Sequence, residues 1–135
     1  MILVDTSVIV AWLDHQHPQH RECTNALDYW AGQDRLAVSS VTYAELAAGG
    51  RTREAVDEDL TLFDRIDLDF EAAWRAGLAF GRSPSSSGRD KPVLPDFLIR
   101  SQAAASDCRH LTIDKRRLAA FADVDFLFPS NIPGA

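Results

Sequence analysis

The sequence predicts an α/β fold in which a central, mainly parallel sheet is covered by helices on both faces. Short segments rich in β-branched and aliphatic residues recur along the chain, and segments with helical periodicity separate them. This alternation favours parallel neighbouring strands. The 135 residues, 46% of them hydrophobic, are enough to form one domain that spans residues 1–135.

Five short apolar segments are predicted to be strands. The first is "ILVD", in which three aliphatic residues are followed by a carboxylate. The second is "RLAVSS", and the later ones are "IDLD", "HLTI" and "DFLF". The predicted strands cover residues 2–5, 36–39, 66–69, 110–113 and 125–128.

Helix boundaries are indicated by capping residues, prolines and glycines. Thr6 or Ser7 can cap the first helix, Pro18 suits the first turn of the second, and Gly49-Gly50 ends the third. Pro95 likewise suits a first helical turn. The predicted helices cover residues 6–13, 18–30, 41–48, 52–65, 70–80, 95–106 and 115–121. Residues 82–92, rich in Ser, Pro and Gly, are expected to form a flexible loop.

Charge and cysteine content limit the classes of function. The net charge of -6 argues against broad electrostatic capture of nucleic acid, but it allows a nucleic-acid enzyme with local basic patches or metal ions. Cys23 and Cys108 show no metal-binding or disulfide pattern, which favours a reduced, cytoplasmic setting. No apolar run approaches bilayer length, and Asp5 and Asp14 interrupt the first apolar stretch, so neither a membrane span nor a secretory segment is expected.

Four acidic residues stand near predicted strand ends or helix starts. Asp5 ends the first strand, and Glu45 lies early in the helix after the second. Asp96 lies in the first turn of its helix, and Asp114 follows the fourth strand. In a parallel sheet with right-handed connections these positions share one edge, where such folds bind ligands. We therefore expect the four carboxylates to converge.

Each acid also has a purely structural interpretation. Asp5 and Asp114 could cap helices, Glu45 could form a capping box with Thr42, and Asp96 suits a helix dipole. These explanations treat the acids separately and do not account for their common edge. Carboxylates that lie close together require a proton or a cation, and an all-oxygen set suits Mg²⁺ or Mn²⁺. Such an ion can promote phosphodiester hydrolysis.

Four segments, "LVDTSVIVAWL", "SSVTYAELAAG", "LPDFLIRSQAAA" and "HLTIDKRRL", occur in this order along residues 2–128. Together they resemble a PIN-domain ribonuclease and, more narrowly, the toxin half of a VapBC-type toxin–antitoxin pair. The resemblance implies a PIN-like α/β/α sandwich that binds Mg²⁺ or Mn²⁺ and cuts RNA. It also implies that translation is inhibited, with tRNA or rRNA as the usual target.

The resemblance assigns roles to the residues that match the family's motifs. Asp5 and Asp96 would bind the metal, directly or through water, whereas Glu45 and Asp114 would orient bound water or hold a second ion. Small hydroxyl residues beside the acids would support the ligands, and these are Thr6, Ser7 and Thr112.

The same family resemblance implies two protein partners, a VapB-like antitoxin and a second copy of the chain in a homodimer. Basic residues flank the predicted site in sequence and are candidates for RNA phosphate contacts. A solvated basic face, or a surface that pairs with acidic residues of an antitoxin, explains them equally well. These residues are Arg82, Arg89, Lys91, Lys115 and Arg116.

The chain departs from the family pattern at three places. Ile113 stands where the family often has Arg, Arg116 where a further acid often follows, and Arg100-Ser101 where Ala-Ala is common. These departures bear on a second metal site and on substrate choice. Two other hypotheses are a phosphatase with an Asp nucleophile, which would need a second Asp where Ser7 stands, and a PIN fold that only binds, which a missing acid would favour.

Overall fold

The computed structural model describes residues 1–84 and 87–133, apart from the side chain of Arg89. A single five-stranded sheet with the order β3-β2-β1-β4-β5 forms its centre, and every strand pair is parallel. The predicted parallel sheet is therefore confirmed. The strands are β1 (Ile2–Val4), β2 (Leu36–Ser39), β3 (Asp64–Ile66), β4 (Arg109–Leu111) and β5 (Phe126–Leu127).

Six α-helices flank the sheet in the described residues. Side chains at four helix starts, Asp5, Ser39, Thr52 and Asp69, accept a hydrogen bond from a backbone N–H of the first turn, which satisfies an otherwise unpaired donor. The helices are α1 (Thr6–Leu13), α2 (His20–Ala31), α3 (Ser40–Ala48), α4 (Arg53–Asp59), α5 (Phe70–Arg82) and α6 (Leu94–Ala105).

The core consists of two layers, one on each face of the sheet. Leu3 of β1 lies opposite Ala37 of β2 and His110 of β4. Because side chains alternate along a strand, Ile2 and Val4 pack with helices α1 to α4, whereas Leu3 packs with α5 and α6. The α/β/α sandwich is confirmed.

The prediction for the third strand is wrong. It was expected at residues 66–69 after a helix over 52–65, but α4 ends at Asp59 and the strand is Asp64–Ile66. Phe63 is buried in the core, so the chain turns inward there and joins β2 immediately. The strand at this sheet edge is half-exposed and polar, and it therefore lacks the apolar pattern of a buried strand.

The helix expected over residues 115–121 is reduced to a 3₁₀ turn, Leu118–Phe121. Arg117 adopts a left-handed backbone conformation with φ 58°, which interrupts a right-handed helix. Just before it, Asp114 Oδ1 accepts a hydrogen bond from the backbone N–H of Arg116 at 2.9 Å. This side-chain-to-backbone turn replaces the expected first helical turn.

The remaining predicted strands and helices begin and end within about two residues of the observed ones. In the segment 82–92, α5 continues to Arg82 and Gly88–Asp90 forms a 3₁₀ turn. Ser85 and Ser86 lie outside the described residues, and the flexibility of this segment stays a prediction. No helix in residues 1–84 or 87–133 combines the length and apolar character needed to cross a bilayer.

Candidate active site

The four predicted acids line one cavity at the carboxyl edge of the sheet. Its volume is about 480 Å³, and it lies beyond the ends of β1 and β4. The sequence-based expectation that the four carboxylates share an edge agrees with this geometry. The lining residues are Asp5, Thr6, Ser7, Val10, His17, Gln19, Glu45, Asp96, Ile113, Asp114 and Arg116.

Asp5 is held firmly in place at the floor of the cavity. Only 7% of the residue is exposed, and its backbone N–H donates to the carbonyl of Leu111 at 2.8 Å. Its Oδ2 accepts hydrogen bonds from Thr112 Oγ1 at 3.0 Å, from the backbone N–H of Ser7 at 3.4 Å and from the Ser7 hydroxyl. Asp5 is therefore both the cap of α1 and a cavity residue, so the structural and functional interpretations coexist.

Glu45 is connected to α1 through Thr6. The Thr6 hydroxyl donates to Glu45 Oε1 at 2.7 Å and lies 2.9 Å from the Thr42 hydroxyl. Since Thr6 has one proton to give, Thr42 donates to Thr6. Burial raises the pKa of Glu45, the hydrogen bond from Thr6 opposes this, and the charge of Asp5 adds to it. The capping-box interpretation is wrong, because Ser39 caps α3.

Asp96 experiences the charge of all the other acids. Burial is the largest cause that raises its pKa, followed by the charges of Asp5, Asp114 and Glu45, while Arg100 opposes the shift. The pKa of Asp96 reaches about 6. Its position in the first turn of α6 also suits the helix dipole. A dipole alone would lower the pKa, so repulsion within the cavity and burial dominate.

Asp114 is neutralised locally by two arginines. Arg116 Nε and Nη2 donate to its Oδ1 and Oδ2 at 2.9 and 3.0 Å, a bidentate pair. The buried Arg100 donates to the backbone carbonyls of Asp114 and Arg116 at 2.9 and 2.6 Å, which fixes the turn. The pKa of Asp114 is lowered. Burial acts to raise this pKa, but the hydrogen bonds from Arg116 and the charges of both arginines outweigh it.

The donor set fits a hydrated Mg²⁺ or Mn²⁺ ion better than a fully enclosed metal site. In the described part of the chain, no three carboxylate, imidazole or thiolate groups form a set that could hold one ion. Mg²⁺ usually keeps several waters and needs only one or two carboxylates. Asp5 and Asp96 can provide them, whereas both oxygens of Asp114 are engaged by Arg116.

The five basic residues proposed to contact RNA occupy different places. Arg116 lines the cavity, and Arg82 lines a neighbouring groove. Lys115 places its Nζ 4.9 Å from the ring centroid of Phe128, and Lys91 is exposed. The side chain of Arg89 lies outside the described residues.

Several cavity neighbours were not among the site residues that the sequence predicted. His110 is fully buried beneath Asp5, donates from Nδ1 to the carbonyl of Leu3 at 2.9 Å, and places Nε2 3.9 Å from Asp5 Oδ1. Strand alternation puts His110 on the same face as Thr112, which was a usable signal. Arg100 follows Asp96 by four residues and thus shares its helical face. His17 and Gln19 approach from the α1–α2 connection, whose position relative to the cavity cannot be predicted from helix or strand periodicity.

Comparison with known proteins agrees with this architecture. The PIN domain family model matches residues 2–127. No protein of curated function matches the sequence significantly. Among similar solved structures, a toxin–antitoxin complex from Klebsiella pneumoniae has a chain that is 21% identical, with a TM-score of 0.72 and 98% and 100% of the two chains covered.

Two further structures have the same fold at low sequence identity. VapBC-1 from nontypeable Haemophilus influenzae is 18% identical, with a TM-score of 0.71 over 97% of this chain and 100% of that one. VapBC2 from Rickettsia felis, bound to a DNA fragment from its promoter, is 21% identical, with a TM-score of 0.70 over 95% and 98%. The family model, the parallel sheet and the convergent acids agree, and the chain belongs to the PIN domain family.

Proposed function

We propose that this protein is a metal-dependent endoribonuclease that hydrolyses RNA phosphodiester bonds. The observation that supports this best is the cavity in which burial, together with the charges of three other carboxylates, raises the pKa of Asp96 to about 6. Such mutual repulsion is relieved when a cation binds. A strongly perturbed carboxylate in a cleft also fits a functional site better than a stabilising one.

In this proposal, Asp5 and Asp96 hold one Mg²⁺ or Mn²⁺ ion. The bound ion would lower the pKa of water and stabilise the negative charge on the phosphate. Thr112 and Ser7 fix the Oδ2 atom of Asp5, so the carboxylate is oriented before the ion arrives.

In this proposal, Glu45 accepts a proton from the attacking water. Burial and the neighbouring Asp5 raise its pKa, and Thr6 fixes its Oε1 atom. A base whose pKa lies closer to the working pH transfers protons more effectively. The water oxygen bonds to phosphorus as the bond from phosphorus to the leaving oxygen breaks. Glu45 takes the proton of the attacking water, and the leaving oxygen takes up a proton from solvent water.

RNA cleavage by the purified chain tests this proposal. We expect cleavage with Mg²⁺ or Mn²⁺, loss of cleavage in EDTA, and recovery when the metal is restored. Asp96→Asn should keep the fold and lose cleavage, while Asp28→Asn, an exposed residue of α2 outside the cavity, should cut normally. Cleavage by Asp96→Asn at the unsubstituted rate would refute the site assignment.

We further propose that the enzyme is the toxin of a toxin–antitoxin pair, acts in the cytoplasm on tRNA or rRNA, and forms a homodimer. Support comes from the folds it shares with the toxin–antitoxin complexes described above. Both cysteines are free thiols, as a reducing compartment would allow.

Expression in bacteria tests the toxin proposal. The unsubstituted chain should arrest growth, Asp96→Asn should not, and the product of an adjacent short reading frame should restore growth by binding the chain. Normal growth with active, soluble protein would contradict the toxin role and leave the nuclease proposal intact.

A further inference from the structure

A line of arginines leads away from the acidic cavity. Arg116 lines this cavity and also a second hollow of about 320 Å³, which Pro84, Asp90 and Arg117 complete. Pro84 and Arg117 in turn line a third hollow of about 400 Å³. We call this third hollow the arginine groove; it is lined by Ala79, Arg82, Ser83, Pro84, Phe97, Arg117 and Ala120. Shared lining residues thus connect Asp114 to Arg82 without a break.

The charge along this path is opposite to that of the cavity. Four carboxylates line the cavity, whereas the arginine groove has Arg82 and Arg117 and no carboxylate among its described lining residues. Asp90 is the acid that lies on the path between them, 4.0 Å from Arg116 Nη1. In a chain of net charge -6, two arginines in one groove form a local positive region.

Arg117 is fixed relative to the acids by the backbone. It has φ 58° and ψ 29°, a conformation that non-glycine residues rarely adopt. Arg100 holds the turn before it through the carbonyls of Asp114 and Arg116. The turn that positions Asp114 therefore also positions Arg117, and strained residues that surrounding contacts hold in place are concentrated at functional sites.

The dipole of a helix can explain why a positive charge stands at Arg82, but not why one stands at Arg117. Arg82 stands in the last turn of α5, where a cation is favoured for structural reasons alone. Arg117 does not stand at the C-terminal end of a helix, because it directly precedes the short 3₁₀ turn Leu118–Phe121. Its backbone strain has to be maintained by the rest of the fold, and a shorter residue such as Asn or Gly would suit that backbone better.

We propose that the arginine groove holds the RNA backbone on one side of the scissile phosphate, with Arg117 and Arg82 contacting phosphates. This inference rests on the proposed ribonuclease function and extends it to the substrate. Guanidinium groups bind phosphate through paired hydrogen bonds, and such contacts position the strand without reading its sequence. An acidic cavity repels RNA, so a nearby positive groove supplies the attraction that the cavity lacks.

Binding of single-stranded RNA of about 20 nucleotides tests the groove. Asp96→Asn serves as the parent, because it should leave the RNA intact. Arg117→Gln and Arg82→Gln, each added to this parent, should raise Kd about three- to tenfold and reduce the slope of log K against log salt by about 0.7 per lost contact. Arg117→Lys keeps the charge but not the paired hydrogen bonds, so it should keep the salt slope of the parent and bind RNA more tightly than Arg117→Gln. A loss as large as that of Arg117→Gln would indicate a disturbed turn rather than a lost charge.

Arg35→Gln is the matched control. Arg35 immediately precedes β2 and therefore lies at the amino ends of the strands, whereas the cavity lies at their carboxyl ends. Its Nη2 atom is 2.7 Å from Asp64 Oδ2. It should leave RNA binding unchanged. Unchanged affinity and salt slope in both groove variants would overturn the proposal. Loss of antitoxin binding with normal RNA binding would also overturn it, since the groove would then belong to the protein partner.

Cleavage kinetics separate this inference from the function on which it rests. In the otherwise unsubstituted enzyme, Arg117→Gln should lower kcat/KM for the long RNA by about tenfold. A dinucleotide is too short to reach the groove, so its kcat/KM should change by no more than about twofold. An equal loss on both substrates would contradict the groove. If the unsubstituted protein cuts no RNA, the ribonuclease function fails, and the binding experiment still decides whether the groove holds RNA.

Discussion

Replacing Asp96 by Asn should stabilise the metal-free protein at neutral pH while abolishing its proposed activity. In the folded protein the pKa of Asp96 is raised from 3.8 to about 6. One pKa unit corresponds to about 1.4 kcal/mol, so ionising Asp96 at pH 7 costs the folded state at most about 3 kcal/mol. Asp96 is partly exposed, and screening by water reduces this to about 1–2 kcal/mol. Asparagine removes the charge and therefore the cost.

The sign of this effect depends on pH in a defined way. Between the unfolded pKa of 3.8 and the folded pKa of about 6, the folded state retains a proton that the unfolded state has released. The free energy of unfolding therefore falls as the pH rises through this window and levels off above it. The advantage of Asp96→Asn should be at most about 0.5 kcal/mol at pH 4 and should reach its full size by pH 7.

Urea unfolding in EDTA, followed by tryptophan fluorescence at pH 4 and pH 7, measures this difference. Asp28→Asn provides the control, because it removes an exposed aspartate of α2 outside the cavity. We expect the control to match the unsubstituted protein at both pH values. If Asp96→Asn is no more stable than the unsubstituted protein at pH 7, burial and the charges of the other acids do not raise the pKa of Asp96 as the structure indicates.

Two further substitutions probe the supports of the acids. Thr112→Val removes the donor to Asp5 Oδ2 and should lower the free energy of unfolding by about 1–3 kcal/mol in urea. The same change should weaken Mn²⁺ binding by about 10–100-fold in calorimetry, and unchanged affinity would show that Thr112 does not orient Asp5. Arg100→Met removes the donors to the Asp114 and Arg116 carbonyls and should cost about 1–3 kcal/mol, also measured in urea. Faster hydrogen exchange in this turn is expected, and unchanged exchange would contradict the role of Arg100.

The sequence was informative wherever burial and local capping agree. Leu3 lies in a strand buried on both faces, and its apolar run predicted β1 correctly. The position of Asp5 directly after this strand was enough to place it at the carboxyl edge. The prediction of the third strand was wrong because this strand has little burial to mark it in the sequence. Asp64–Ile66 is an edge strand held by pairing with β2 rather than by an apolar pattern, and pairing partners cannot be inferred from local sequence.

The site was predictable in composition but not in its interactions. The positions of the four acids near strand ends and helix starts predicted that they converge, and the resemblance assigned their roles. It did not indicate that Arg116 would pair with Asp114 through both carboxylate oxygens, nor that Arg100 would be buried beneath the same turn. The same turn leads into Arg117, whose left-handed backbone favours glycine and would not be assigned to arginine from local propensity.

Titration of Mn²⁺ into the metal-free protein, followed by calorimetry, tests the central claim most directly. The account predicts that the unsubstituted protein binds Mn²⁺ and that Asp5→Asn and Asp96→Asn each weaken the affinity at least about tenfold. Asp28→Asn should bind like the unsubstituted protein. Equal Mn²⁺ affinity in all four proteins, or no binding by any of them, would contradict the assignment of this carboxylate cavity as a metal-dependent active site.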